Sequence, residues 1–252
     1  MFKPLSLSRS WLAATLLAAV SCAQASDLKV VAPNAVKESV TEIAARFERD
    51  TGRRVALTWA GSEAIAKRVA EGEVFDVVVN TAPGVDRMAA EGKLVSGSRT
   101  DFSRSAVAVA VRAGLPRPDV SSVGALKTTL LEAQSIAISS GASGRYLEQL
   151  FQKLGVAEQI KHKIKQPPSG AQIGDMLARG EVDLGFQQVT ELMHGKGFQY
   201  LGPLPAEVQN YTVWAAGIHS SAPQAEAAAA FSRALKAPAS AAALRQHGLE
   251  PM

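Results

Sequence analysis

Two hydrophobic spacings alternate along this chain once its first 25 residues are passed. Residues 28–32 (LKVVA), 54–59 (RVALTW) and 75–80 (FDVVVN) are short runs with the composition and length of strands. Between them, 36–50 puts Val36, Val40, Ile43, Ala44 and Phe47 on one face at helical spacing, with Gly52 as its stop. Shorter helical stretches follow at 63–70 and 85–90. Strand and helix in strict alternation predict a parallel sheet with helices on both faces, because parallel neighbours need crossover connections.

Residues 105–111 alternate alanine and valine and are expected to cross the middle of the molecule. Beyond Pro116 and Pro118 a second set begins. It reads as a helix at 123–131, a strand at 136–138, an amphipathic helix opened by Arg145 and closed by Gly155, and a strand at 160–164. A helix at 171–179 and a strand at 182–187 follow, then a long returning strand at 208–218 and alanine-rich helices at 222–235 and 240–246. The pattern predicts an α/β protein of two lobes, 26–104 with 210–252 and 105–209, joined by connecting strands. Ligands of open α/β sheets bind where strands end and helices begin, so two facing lobes gather several such junctions around one cleft.

The most suggestive junction is Ser139-Ser140-Gly141-Ala142-Ser143-Gly144-Arg145, between the strand at 136–138 and its helix. A helix start offers unpaired N–H groups and partial positive charge, which suits an anion. Ser140 and Ser143 add hydroxyls, Gly144 allows close approach, and Arg145 adds a fixed positive fork. The plainer alternative has Ser143 capping the helix and Arg145 in water. Asn80 ends the third strand, where its amide serves either the cleft or a turn before Pro83. Gln187-Gln188 ends a buried strand, and buried amides need partners, of which a ligand is one. Lys161-His162-Lys163-Ile164-Lys165 reads as a solvated strand edge.

Composition narrows the chemistry. Lys3 and Arg9 precede an uncharged run at 11–20 and then Ala23-Gln24-Ala25, the layout of a secretory signal over residues 1–25 and hence of a periplasmic protein. Cys22 offers a lipid-bearing N-terminus instead, but Ala19 is a poor match to the large aliphatic residue expected there. Cleavage after Ala25 removes the single cysteine, and with it any disulfide, thiolate metal site or thiol nucleophile. It also lowers the formal net charge from +4 to +2, and no basic stripe supports nucleic-acid binding. His162, His194, His219 and His247 lack metal-ligand spacing, and no phosphate-binding glycine loop occurs, so neither a metal nor a cofactor is expected.

Lys29-Val30-Val31-Ala32, Trp59-Ala60-Gly61-Ser62, Phe75-Asp76-Val77-Val78-Val79-Asn80 and Val182-Asp183-Leu184-Gly185-Phe186 occur in an order that resembles the periplasmic molybdate-binding proteins of ABC importers. That resemblance implies a two-lobed type II binding-protein fold with parallel-rich sheets flanked by helices. It also implies an inner-membrane ABC permease as partner and a small anion held between the lobes; a monomer is expected. The family's donors fall on Ala35, Ser62, Ser143, Gly170 and Gln188, with Asn34 and Gly61 beside them. Ala35 and Gln188 replace hydroxyl donors of the family, while Glu63 and Arg145 bring charge to the rim. A small carboxylate makes better use of Arg145 than molybdate does.

That family is also similar to a periplasmic aconitate isomerase, which suggests, as a second function, a 1,3-allylic proton shift on a tricarboxylate. Such a shift needs a base, and Glu63 is the acid the sequence offers, unless it only stabilises its helix start. An acid inside the cleft distinguishes the two functions. A proton-transfer enzyme requires one, and an anion binder does not.

Overall fold

The computed structural model describes residues 26–252, so the expected leader and Cys22 lie outside the described residues. The first elements are β1 (Leu28–Pro33), a 3-10 turn (Asn34–Val36), α1 (Lys37–Thr51), β2 (Val55–Ala60), α2 (Ser62–Ala70), β3 (Val77–Thr81), α3 (Ala82–Ala90) and β4 (Thr100–Arg112). The second set comprises α4 (Val123–Glu132), β5 (Ile136–Ile138), α5 (Ala142–Lys153), α6 (Ala157–Ile160), β6 (Ile164–Lys165), α7 (Ile173–Ala178), β7 (Leu184–Gln188), α8 (Val189–Leu192) and β8 (Phe198–Pro203). The chain returns through β9 (Tyr211–Ile218) to α9 (Ala225–Lys236), α10 (Ala241–Gln246) and β10 (Glu250–Pro251).

The strands run in the order β2-β1-β3-β9-β4-β7-β5-β6, with β8 and β10 added on β4. Parallel pairs occupy both outer regions, whereas β3–β9, β9–β4 and β4–β7 are antiparallel. The sheet is therefore mixed, because the returning β9 is inserted between β3 and β4. Residues 100–106 of β4 pair with β9, and residues 107–111 pair with β7. One strand thus belongs to both lobes.

Alternation explains the packing. Val30 and Val79 enter one hydrophobic cluster while Val31 and Val78 enter the cluster on the opposite face. Further along, Val107, Val109 and Val111 face one cluster and Ala108 and Ala110 the other. A strand sends successive side chains to opposite faces, so a sheet covered by helices on both needs apolar residues at every position. Helix α1 buries Val40, Ile43, Ala44 and Phe47, and Phe47 meets Phe231 of α9 edge to face at 5.3 Å. Gly52 closes α1 at φ 71°, a backbone conformation that favours glycine.

Three expectations change. The strand expected at 160–164 is instead α6, a 3-10 turn (Lys161–Lys163) and the two-residue β6. Ile160 donates its N–H to Val156 O and both residues are buried, a helical pairing that outweighs the β-branched composition. Lys163 Nζ donates to Leu131 O, so that lysine is tied to the fold and is not simply part of a solvated edge. The helix expected from Ala171 starts at Ile173, after Gly170 turns the chain at φ 90°. Strand β8, which the spacing did not predict, pairs with the second half of β4. No helix among the described residues is long and apolar enough to cross a membrane.

Candidate ligand cleft

The ends of β1, β2, β5 and β7 converge on one cavity. From the first lobe come Asn34 and Ala35 after β1, Gly61 and Ser62 after β2, and Trp214 of β9. The second lobe supplies residues 139–143, residues 168–171, Gln187, Gln188 and Glu191.

Helices α2 and α5 start at this cavity with glycines, Gly61 and Gly141, at the N-cap, and neither has a side-chain cap. Their first-turn N–H groups, with the Ser62 and Ser143 hydroxyls, suit a negatively charged guest. Within the 139–145 loop, Ser139 Oγ lies 2.9 Å from Ser143 Oγ and accepts from Gly144 N at 3.3 Å. A Cβ on Gly144 would stand 1.6 Å from Ser139 O, so only glycine allows this turn. Ser140 Oγ is buried without a hydrogen-bond partner on the cavity wall, which leaves a donor for a guest.

The two glutamines have different duties. Gln188 Oε1 accepts from Ser105 Oγ at 2.5 Å and its Nε2 donates to Thr212 Oγ1 at 2.9 Å. Trp214 Nε1 donates to the same Ser105 Oγ, so this network ties β7 to β4 and β9 at the floor of the cleft. Gln187 Oε1 accepts the Ile173 N–H, and its Nε2 donates to Glu191 Oε1 at 2.8 Å. Gln187 thereby positions Glu191.

Glu191 is a partly buried carboxylate on the cavity wall. Burial pushes its pKa up to about 7, despite hydrogen bonds from the backbone at Gln188 and the side chains of Gln172 and Gln187. Those partners are amides and bring no cation.

Several contacts span the lobes. Asn34 Nδ2 donates to Gly170 O at 3.1 Å. Gly61 and Gly170 pack backbone to backbone: a Cβ on Gly61 would lie 2.2 Å from Ser169 Oγ and 2.5 Å from Gly170 N. Arg145 Nη1 meets Glu63 Oε1 at 2.5 Å, and Arg87 Nη2 approaches Glu63 Oε2 at 4.0 Å.

Of the residues singled out from sequence, Asn34, Ala35, Gly61, Ser62, Ser140, Ser143, Gly170 and Gln188 line the cavity together. Glu63, Asn80 and Arg145 do not. They line a neighbouring hollow that shares Ser62, where Asn80 Nδ2 holds Ser62 O at 3.0 Å. Gly144 is buried behind the cavity wall. Glu191 and Ser169, which also line the cavity, were not singled out. Glu191 lies in Val189-Thr190-Glu191-Leu192, a helix too short to show a period, and only its place after β7 betrays it. Among the described residues no group of three or more His, Cys, Asp or Glu is arranged to hold a metal ion.

The sequence profile of the bacterial extracellular solute-binding proteins matches residues 28–250. The chain belongs to that family. Among the relatives of this solute-binding protein, an aconitate isomerase from a Pseudomonas species is 34% identical over 231 residues, covering 89% of this chain and 88% of the relative. The molybdate-binding protein of Azotobacter vinelandii is 29% identical over 193 residues, covering 72% of this chain and 75% of that protein. A solved structure of an Azotobacter vinelandii periplasmic molybdate-binding protein superposes with a TM-score of 0.75 at 21% identity, covering 88% of this chain and 98% of that one. The two-lobed α/β binding-protein fold follows from these matches.

Proposed function

We propose that the protein is an isomerase of a small unsaturated polycarboxylate, moving a proton across a three-carbon allylic unit inside the cleft with Glu191 as the base. The observation that carries this reading is Glu191 itself, a carboxylate on the cavity wall with its pKa pushed up to about 7 by burial. An ionised acid there repels an anionic guest, so a pure anion binder gains nothing from it. A base that titrates near neutrality is matched to proton transfer. Similarity to an aconitate isomerase supports a tricarboxylate as the substrate class.

In the proposed step, Glu191 removes a proton from the methylene carbon, and the C–H electron pair becomes the new double bond as the old one opens into a dienolate. Ser140 and the helix-start N–H groups stabilise the negative charge on the carboxylate oxygens. Glu191 then returns the proton to the former vinylic carbon. One C–H bond is lost and one gained, and nothing is oxidised. Gln187 keeps the base aimed, and the closed lobes keep water out. Membership of an extracellular family supports a periplasmic location, with residues 1–25 as leader.

The second reading, an anion-binding component that delivers its guest to an ABC permease, draws on the glycine-capped helix starts and the molybdate-binding relatives. One experiment separates the two. The mature protein is incubated with cis-aconitate and the mixture resolved by chromatography. Catalytic appearance of trans-aconitate is expected. Absence of the trans product, together with a melting temperature raised by molybdate or sulfate alone, would favour the binder.

A further inference from the structure

The hollow beside the cleft holds two guanidinium groups and one carboxylate. Arg87 comes from the last turn of α3, Arg145 from the first turn of α5 and Glu63 from the first turn of α2. Ser62 lines both this hollow and the ligand cleft, so the two spaces adjoin. Glu63 pairs closely with Arg145 at 2.5 Å and reaches Arg87 only at 4.0 Å. The trio therefore carries one positive charge in excess, and Arg87 has a distant partner at best. Asn80 does not compete for a guest, since its amide is taken by Ser62 O and Thr81 N. Side-chain exposures of 39% for Glu63, 52% for Arg145 and 55% for Arg87 mean that exchanging one carboxylate for another needs no buried ion to be uncovered.

We propose that this hollow is a carboxylate subsite of the cleft. Glu63 stands in for a carboxylate arm of the ligand when the cleft is empty, and Arg87 with Arg145 clamps that arm when the cleft is occupied. The inference rests on the guest being a polycarboxylate, as argued above, but not on its being isomerised. Guanidinium forks hold carboxylates through paired, charge-assisted hydrogen bonds, so the subsite selects for an arm that is both charged and long enough to pass Ser62. A ligand with a methyl group in place of that arm leaves Glu63 where it is.

Calorimetric titration of the mature chain with trans-aconitate, and with mesaconate, tests this. Mesaconate carries a methyl group where trans-aconitate carries a carboxymethyl group. Arg87→Ala is expected to weaken trans-aconitate binding about three- to fivefold and mesaconate binding less than about twofold, the size of a solvent-accessible charge pair. Glu63→Gln is expected to strengthen trans-aconitate binding and leave mesaconate unchanged, because it removes the competing carboxylate. A simple latch between the lobes predicts the opposite. If Glu63→Gln weakens both ligands alike, or Arg87→Ala costs both equally, the subsite is overturned. The predicted pattern in a protein that leaves aconitate unisomerised overturns the enzyme reading and keeps the subsite. Binding of neither acid overturns both.

Discussion

Glu63 and Glu191 both sit in the first turn of a helix, yet their surroundings differ. Glu63 opens a nine-residue helix, is substantially exposed, and has Arg145 and Arg87 as partners. Glu191 lies in a helix of four residues, partly buried, with amides for partners and a pKa pushed up to about 7. Desolvation with no cation beside it is what raises the basicity of Glu191. The pair teaches that an acid near a ligand is a candidate base only when its neighbours leave it one.

The sharpest way to break this comparison is Glu191→Gln. It is expected to lower kcat/KM for aconitate isomerisation by about 10²–10⁴, the range for losing a general base, while calorimetry shows trans-aconitate still binding. A loss of only a few-fold would remove Glu191 from the chemistry.

The pH profile comes next. Because the base must be ionised, kcat/KM is expected to rise about tenfold per unit below pH 7 and to level off above it. Stability moves the other way. A carboxyl whose folded pKa stands near 7, above its ordinary 4.5, contributes stability below pH 4.5 that is lost as pH rises through 7. Melting curves of the unligated protein should show a decline over that window, and Glu191→Gln should flatten it. An unchanged slope in the variant would contradict the assignment.

A smaller effect is expected from Gly61→Ala, which forces a methyl group against Ser169 Oγ and Gly170 N. An inserted methyl costs about 1–3 kcal/mol where the backbone has to shift, so affinity should fall about tenfold while the unligated fold persists. Unaltered affinity would mean that the lobes need not meet at Gly61 to hold the guest.

Much of the architecture was legible because strand and helix periods leave strong marks. The valine runs at β1 and β3, the spaced face of α1 and the Ala-Val alternation of β4 each report on packing that the sequence must satisfy locally. The cavity was legible wherever it is built from strand-to-helix junctions, as at Ser62 and Ser143. What escaped was set by distant partners. Glu191 carries no local signal, and its environment is supplied by Gln187, Gln172 and the backbone at Gln188. Arg145 lay in a loop that looked ready for a ligand, and only folding reveals that Glu63, 82 residues earlier, already holds it. The segment 160–164 misled because its two isoleucines were outvoted by one helical hydrogen bond between the buried Val156 and Ile160.

The double membership of β4 bears on engineering. Cutting the chain near Ala106 would leave residues 100–106 on β9 and residues 107–111 on β7, breaking the strand at the point where the two halves of the sheet meet. Chimaeras that graft the ligand preference of one relative onto another should therefore carry this strand whole. Their joints belong in the surface connections on either side of it.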